Sequence, residues 1–200
     1  MDGERYQVIS GSYGVNEYSQ PEIVSFLQPL KERGLSPISC TVDGSRNLIR
    51  ALKKLWPDII IQRCLVHVSR QGLSWCRQSP KRTDAQKLRK LLFQVTQIDN
   101  CHERDEFLND LDRWEEQYGS KIAPQPEKGK VFSDLKRARS MLIKAIPNMF
   151  HYLDNPNIPA TTNGLEGYFS RLKTHYRNHR GLDVNKRFNY FKWFFNLKPK

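Results

Sequence analysis

The chain has 200 residues and a formal net charge of +12, because 33 lysines and arginines outweigh 21 aspartates and glutamates. This charge favours a polyanionic partner such as a nucleic acid, with a solvated basic surface as the alternative. A hydrophobic content of 38% allows one domain with a buried core, and no apolar run reaches the roughly 18 residues of a membrane span. The first residues lack the parts of a secretion signal and the four cysteines lack a disulfide spacing, so we expect a cytoplasmic protein with reduced thiols.

The first predicted elements are a strand and a helix. Asp2-Gly3 is a hairpin turn signal, and the apolar residues that follow predict a strand over residues 5–12. Pro21 suits the first turn of a helix, whose apolar face ends before Gly34.

The next stretch predicts a strand, a helix and a second strand. Apolar and polar residues alternate over 38–42 and stop at Asp43-Gly44, so a carboxylate lies at the carboxyl end of a strand. Helical spacing over 48–56 and the continuous apolar run 59–61 complete a βαβ unit with parallel strands. Catalytic residues are usually found at this edge of a sheet; the alternative is that Asp43 is a turn residue that opens the helix.

A long helical block is predicted over residues 83–159. Thr83 and Asn100 each begin a capping box, with a Gln or a Glu three residues later, and a third helix is predicted from about Val131. The basic loop before the block, residues 77–82, is either a phosphate contact or a solvated connection.

A further helix is predicted to begin at Asn163, after a loop rich in proline and asparagine. One face of this helix carries an acid and then polar and basic residues at spacings of four, three and four: Glu166, Ser170, Lys173 and Arg177. Such a face suits a metal ligand next to a phosphate backbone, and the alternative is that Asn163-x-x-Glu166 is a capping box. The aromatic-rich helix that closes the chain favours a core or interface over base stacking.

Three motifs in a fixed order carry a family resemblance: VDG at 42–44, QRCLVH at 62–67 and TNGLEGYFSRLK at 162–173. Together they resemble the mutator-type DDE transposases of bacterial insertion sequences (the MULE-like transposase domain) and their plant relatives. The resemblance runs over nearly the whole chain. It implies an enzyme that cuts and rejoins DNA strands, with double-stranded DNA, both transposon ends and target, as its partner.

The resemblance also implies the fold and the catalytic residues. The expected fold is α/β, a partial RNase H-like nuclease fold with an all-α insertion between the second catalytic Asp and the Glu. We predict a partial core over residues 1–76, the helical insertion over 77–160, and C-terminal helices over 161–200 that complete the core. In this family two Asp and one Glu hold two divalent metals, and Asp43 and Glu166 match the second Asp and the Glu. They are the predicted catalytic residues and ligands of Mg²⁺ or Mn²⁺.

The first Asp of the family lies on a strand before a hairpin, and nothing before Asp2 supplies it. We therefore expect an N-terminally truncated chain that is inactive alone, with Asp2 as a turn residue. The missing strands would leave sheet edges unpaired, so self-association is expected.

Cys64 and His67 match the Cys-x-x-His pair that follows the second Asp in the family, where it is structural or positions DNA. No clean second pair is present to complete a zinc site, which argues against zinc; the other interpretation is a buried thiol and a hydrogen-bonded histidine. Because phosphate contacts supply most of the sequence-independent affinity for DNA, basic residues near the motifs are predicted to bind it: Arg46, Arg63, Arg70, Arg171, Lys173, Arg177 and Arg180.

Two other functions stay open at this point. A non-catalytic DNA-binding or regulatory protein derived from a transposable element would keep the basic residues without the metal chemistry. An unrelated RNA-binding domain is the third interpretation, but no RNP-type aromatic strand or glycine-rich KH loop supports it. A bacterial transposase would be expected in the cytoplasm, associated with the nucleoid and not with a membrane.

Overall fold

The computed structural model describes residues 1–2, 7–130, 133–179 and 181–197, the side chain of Asn196 excepted. They form a mixed α/β chain that is mostly helical. The chain divides into two compact units: the first comprises residues 1–61 and 157–200, and the second comprises residues 62–156. The domain boundaries predicted at 76 and 160 stay predictions. Of the helices within the described ranges, none has both the length and the apolar character to cross a membrane.

The regular elements follow one another along the chain as α1 (Gln20–Glu32), β1 (Ser39–Val42), α2 (Arg46–Leu55), β2 (Ile60–Arg63), α3 (Leu65–Trp75), α4 (Thr83–Gln94), α5 (Cys101–Trp114), α6 (Ser120–Ile122), α7 (Asp134–Ala145), α8 (His151–Asp154), α9 (Asn163–Arg177) and α10 (Val184–Leu197). A π-helical segment, Glu115–Gly119, joins α5 to α6. Short 3₁₀ turns follow α4 and α7.

The first unit is built on the predicted βαβ unit. β1 and β2 are parallel neighbours in one sheet, and α2 connects them. α1 precedes the unit and packs against α2. The chain passes from the first unit into the second within β2. The α/β prediction is therefore confirmed, while the RNase H-like fold is not confirmed by the two strands of the described residues.

The apolar faces of β1, α2 and β2 form the core of the first unit. Its buried residues are Val42, Leu52, Leu55, Trp56, Ile59 and Ile61. Trp56 also donates from Nε1 to the carbonyl oxygen of Leu35 at 3.0 Å, so the polar atom of its ring has a partner. This core anchors β1, which ends directly before Asp43.

The two C-terminal helices of the first unit pack through aromatic residues. α9 begins at Asn163, as predicted. Tyr168 is buried on α9, and its ring centroid lies 5.9 Å from that of Phe194 and 6.4 Å from that of Phe195 on α10. Phe188 and Trp193 on the same helix are 49% and 63% exposed, so the preference for a core or interface over base stacking stays a prediction.

The predicted strand over residues 5–12 is wrong for residues 7–12, which form no strand; residues 5 and 6 lie outside the described residues, as does Gly3 of the predicted turn. Within the segment, Gly11 lies so close to the ring of Phe195 that an added Cβ would be 2.6 Å from it. Apolar alternation predicts a strand only where a partner strand is available. Here an aromatic ring of α10 takes that place.

The second unit is an all-α block in which α3 packs against α4 and α7. Gly72 allows the close approach of α3 to α4, because a side chain at this position would collide with Leu92. The largest fully buried side chains of the block include Leu88, Leu92, Val95, Ile122, Leu142 and Met149. Gln62 is fully buried and donates from Nε2 to the carbonyl oxygen of Met149 at 2.7 Å, which joins the start of this unit to the end of its helical chain.

The predicted helix starts in this block have mixed outcomes. Asn100 caps α5, since its Oδ1 accepts from the backbone N–H of Glu103 at 2.9 Å. The predicted box at Thr83 is wrong, because Thr83 is the first residue of α4 and not its cap. The preceding Arg82 donates instead to the carboxylate of Asp84 in the first turn. This ion pair stabilises the start of α4, where the Thr83 hydroxyl was expected to cap the helix.

The helix predicted from about Val131 begins at Asp134, and Val131 lies outside the described residues. Ser133 caps it by accepting from the backbone N–H of Lys136 at 3.3 Å.

Candidate functional site

Asp43 lies in a tight turn between β1 and α2. Its carboxylate is exposed, and Oδ1 accepts from the backbone N–H of Ser45 at 2.9 Å. Gly44 has a φ of 105°, which allows the turn, and Ser45 caps α2 by accepting from the N–H of Leu48 at 3.4 Å. The turn therefore fixes the direction of the Asp43 carboxylate at the carboxyl end of β1, and it also opens the helix, as the alternative interpretation held.

Glu166 lies in the first turns of α9 and is half-buried. Thr162 donates from Oγ1 to Glu166 Oε1 at 3.1 Å, and its carbonyl oxygen accepts from the backbone N–H of Glu166 at 3.0 Å. The capping box predicted for Asn163 and Glu166 is wrong, since Asn163 is already helical and Thr162 holds the cap position. The Thr162 hydroxyl orients the glutamate carboxylate instead of capping a backbone N–H.

A long-range hydrogen bond joins the two stretches that carry the acids. Thr41 on β1 donates from Oγ1 to the carbonyl oxygen of Pro159 at 2.6 Å, across 118 positions of sequence. Thr41 lies two residues before Asp43, and Pro159 lies in the loop that leads into α9. Burial raises the pKa of the neighbouring Cys40 thiol, so this cysteine is a poor nucleophile beside the site. The convergence of Asp43 and Glu166 on one metal centre stays a prediction.

Cys64 and His67 lie at the start of α3, in the second unit. Cys64 is fully buried, and its Sγ lies 3.2 Å from Nδ1 of His67, within hydrogen-bonding distance. The remaining cysteine of this helix, Cys76, is buried at its other end, where burial raises the pKa of its thiol. The role of the pair in structure or DNA positioning stays a prediction.

The basic residues predicted to bind DNA are distributed over both units. Lys173 and Arg177 are exposed on the face of α9 that also carries Glu166, and Arg171 is exposed on the same helix. Arg46 is the exposed first residue of α2.

In the second unit, Arg70 is exposed on α3, and Arg63 at the end of β2 is half-buried. Arg180 lies outside the described residues. DNA contact by these residues is not tested by their positions.

Sequence reasoning missed the two threonines that hold the acid-bearing segments. Thr162 could have been found, because threonine directly before a helix is a preferred cap residue. Thr41 carried no such signal, since alternation along β1 gives only the face of the strand and not a partner 118 residues away.

Comparison with known proteins identifies the family. The family model described as "Transposase, Mutator family" matches residues 1–152, a range that contains Asp43, Cys64 and His67 but ends before Glu166. No curated protein and no solved structure matches the chain. Because the match covers 152 of 200 residues, the chain belongs to the Mutator family of transposases.

Proposed function

We propose that this chain contributes the DDE-type chemistry of a DNA transposase, the metal-dependent cutting and joining of DNA strands, on an RNase H-like nuclease core. Asp43 and Glu166 are two of its metal-binding carboxylates. Double-stranded DNA is the substrate, and Lys173 and Arg177 bind its phosphates.

The observation that carries the proposal is the hydrogen bond from Thr41 to Pro159. It ties the strand that ends before Asp43 to the loop that leads into the Glu166 helix, so two acids 123 positions apart (166 − 43) belong to neighbouring segments of one unit. The proposal needs this proximity, because metal ligands far apart in sequence can converge only where the fold brings their segments together.

The donor set fits Mg²⁺ or Mn²⁺. Both metals prefer hard oxygen ligands, and each carboxylate has one oxygen oriented by a neighbour, Ser45 for Asp43 and Thr162 for Glu166. When bound, a metal pair supplies an activated oxygen nucleophile and stabilises the leaving oxygen. The chain's own residues hold the carboxylates in place and supply positive charge on α9 for the phosphate backbone.

Metal binding can be tested directly on the 200-residue chain. Asp43→Asn and Glu166→Gln remove a charge but keep an oxygen that accepts the neighbour's hydrogen bond. Asp58→Asn and Glu17→Gln are matched controls, because both acids are exposed in the same unit and form no ion pair with a described residue. Mn²⁺ at about 100 times its Kd should stabilise the protein by about 2.7 kcal/mol, which raises Tm by about 5–10 °C for a chain of this size.

We expect the wild type and the two control variants to show this rise, and Asp43→Asn and Glu166→Gln to lose most of it. Electron paramagnetic resonance of free Mn²⁺ would count the bound ions. An equal rise in Tm for all variants would refute the assignment of the two ligands. A wild type that binds DNA but not Mn²⁺ would instead be a non-catalytic DNA-binding protein.

A further inference from the structure

The charged residues on the exposed face of α2 are all basic. Three of its exposed residues follow at spacings of four and so form one line along the helix: Arg46, Arg50 and Lys54. We call them the α2 stripe. None of the three forms an ion pair with any residue that the structure describes. α2 contains no acidic residue that could offset the charge.

Some other helices neutralise exposed cations locally. Basic residues on α5, α7 and α10 pair with an acid three positions before them or directly before the helix: Arg113 with Asp110 at 2.6 Å, Arg137 with Asp134 at 3.5 Å, and Lys186 with Asp183 at 3.3 Å. Within the described residues, the α2 stripe has no such acidic partners, and neither do Lys173 and Arg177 on α9, which the proposed function also assigns to DNA.

The stripe is also unfavourable for α2 itself. Arg46 is the first residue of the helix, where the helix dipole is positive and a cation is repelled. Like charges four residues apart repel each other along the rest of the stripe, although the dipole favours Lys54, which lies in the last turn. The helix forms because Leu52 and Leu55 on its other face are buried in the core. Charge placed against local stability is typical of a functional surface.

The geometry suits the backbone of DNA. Residues four positions apart on a helix are about 6 Å apart along its axis, so the stripe spans about 12 Å, while each DNA strand presents a phosphate about every 3.4 Å along the duplex. The stripe begins three residues after Asp43. A DNA strand that passes Asp43 would therefore meet Arg46 first.

We propose that the α2 stripe binds the phosphate backbone of duplex DNA next to Asp43, an inference that rests on DNA as the substrate in the proposed function. It adds Arg50 and Lys54 to the basic residues assigned to DNA from the sequence. The stripe holds the strand by charge alone, so it contributes affinity without sequence preference.

The test compares two triple variants of the full chain. In the stripe variant, all three residues are neutralised: Arg46→Gln, Arg50→Gln and Lys54→Gln. In the control variant, three positive charges are removed from exposed residues of the second unit that form no ion pair with a described residue: Lys90→Gln, Lys121→Gln and Lys128→Gln. Fluorescence anisotropy with a labelled duplex gives Kd over a range of salt concentrations, and thermal melting without DNA gives Tm.

For the stripe variant we expect the slope of log K against log salt to become shallower by about 2.7, which is about 0.9 for each of three lost phosphate contacts. Its Tm should rise by about 1–4 °C, because two like-charge repulsions along the helix are removed while the opposite dipole effects of Arg46 and Lys54 offset each other. The control variant should keep a slope close to that of the wild type and gain no stability. Opposite changes in binding and stability would not arise from a structural defect.

Equal slopes of log K against log salt for the two variants, with normal binding by the wild type, would show that the α2 stripe does not bind DNA. The proposed function would remain intact. A wild type that does not bind the duplex at low salt would overturn DNA as the partner of both proposals. If the stripe variant binds the duplex normally but loses affinity for phosphatidylserine vesicles, the stripe binds lipid and the inference is wrong.

Discussion

The hydrogen bond from Thr41 to Pro159 gives the sharpest test of how the site is held. In Thr41→Val the side chain keeps its shape but loses the hydroxyl that donates to the Pro159 carbonyl oxygen at 2.6 Å. The net loss for one such bond is about 1 kcal/mol, which lowers Tm by about 2–4 °C for a chain of this size. If the bond also positions the acid-bearing segments, Mn²⁺ affinity should fall by about 10–100-fold, as for other residues that orient metal ligands.

Two further variants separate these effects. Thr174→Val removes a similar bond, from Oγ1 to the carbonyl oxygen of Ser170 at 3.0 Å, on the exposed surface of α9. It should change Tm little, because an exposed bond to the carbonyl four residues earlier adds little to a helix, and it should leave Mn²⁺ affinity unchanged. Thr41→Ser keeps the hydroxyl and should restore affinity. Isothermal titration calorimetry measures the Mn²⁺ Kd of each variant. A wild-type Kd for Thr41→Val would refute a positioning role for Thr41.

Three predictions concern the second unit. Gly119→Ala would place a Cβ 2.7 Å from Oε2 of Glu115, which is held by Arg139; the cost of moving that ion pair offsets the gain of about 1 kcal/mol from alanine in a helix, so urea unfolding should show little net change in stability. Leu142→Ala empties a fully buried position on α7 and should cost about 2–5 kcal/mol in the same assay. Burial, and then two nearby carboxylates, raise the pKa of Tyr152 from 10.0 to about 12, so its contribution to stability is full below pH 10 and is lost as the pH rises through 12. Tyr152→Phe should therefore flatten the fall of Tm over that pH range.

Patterns that involve neighbours in sequence predicted the structure well. The βαβ unit was found because alternation, helical spacing and a continuous apolar run each report which side of an element is buried. The start of α9 at Asn163 was also correct. Both Asp43 and Glu166 could therefore be placed at the ends of regular elements from the sequence alone.

Patterns failed where they depend on a distant partner or compete with another interaction. The strand predicted over residues 5–12 needed a neighbouring strand, and a ring of α10 lies against Gly11 instead. The box predicted at Thr83 competed with an ion pair between Arg82 and Asp84 that a capping rule does not consider. Thr41 could not be found at all, because nothing in a strand sequence indicates which carbonyl oxygen its hydroxyl will meet.

The buried hydrogen bond from Gln62 to Met149 affects how the chain accommodates its long excursion through the second unit. A flexible loop of 95 residues (156 − 62 + 1) would cost the first unit roughly 4 kcal/mol in closure entropy, from (3/2)RT ln n. Gln62 is the first residue of the second unit, and Met149 lies seven residues before its last. The helical block brings these positions together through its own packing and the 2.7 Å bond. Folding of the block therefore offsets most of this closure entropy, and little of it falls on the first unit. The helical block can therefore gain or lose residues with little effect on the stability of the first unit, provided that Gln62 and Met149 remain bonded.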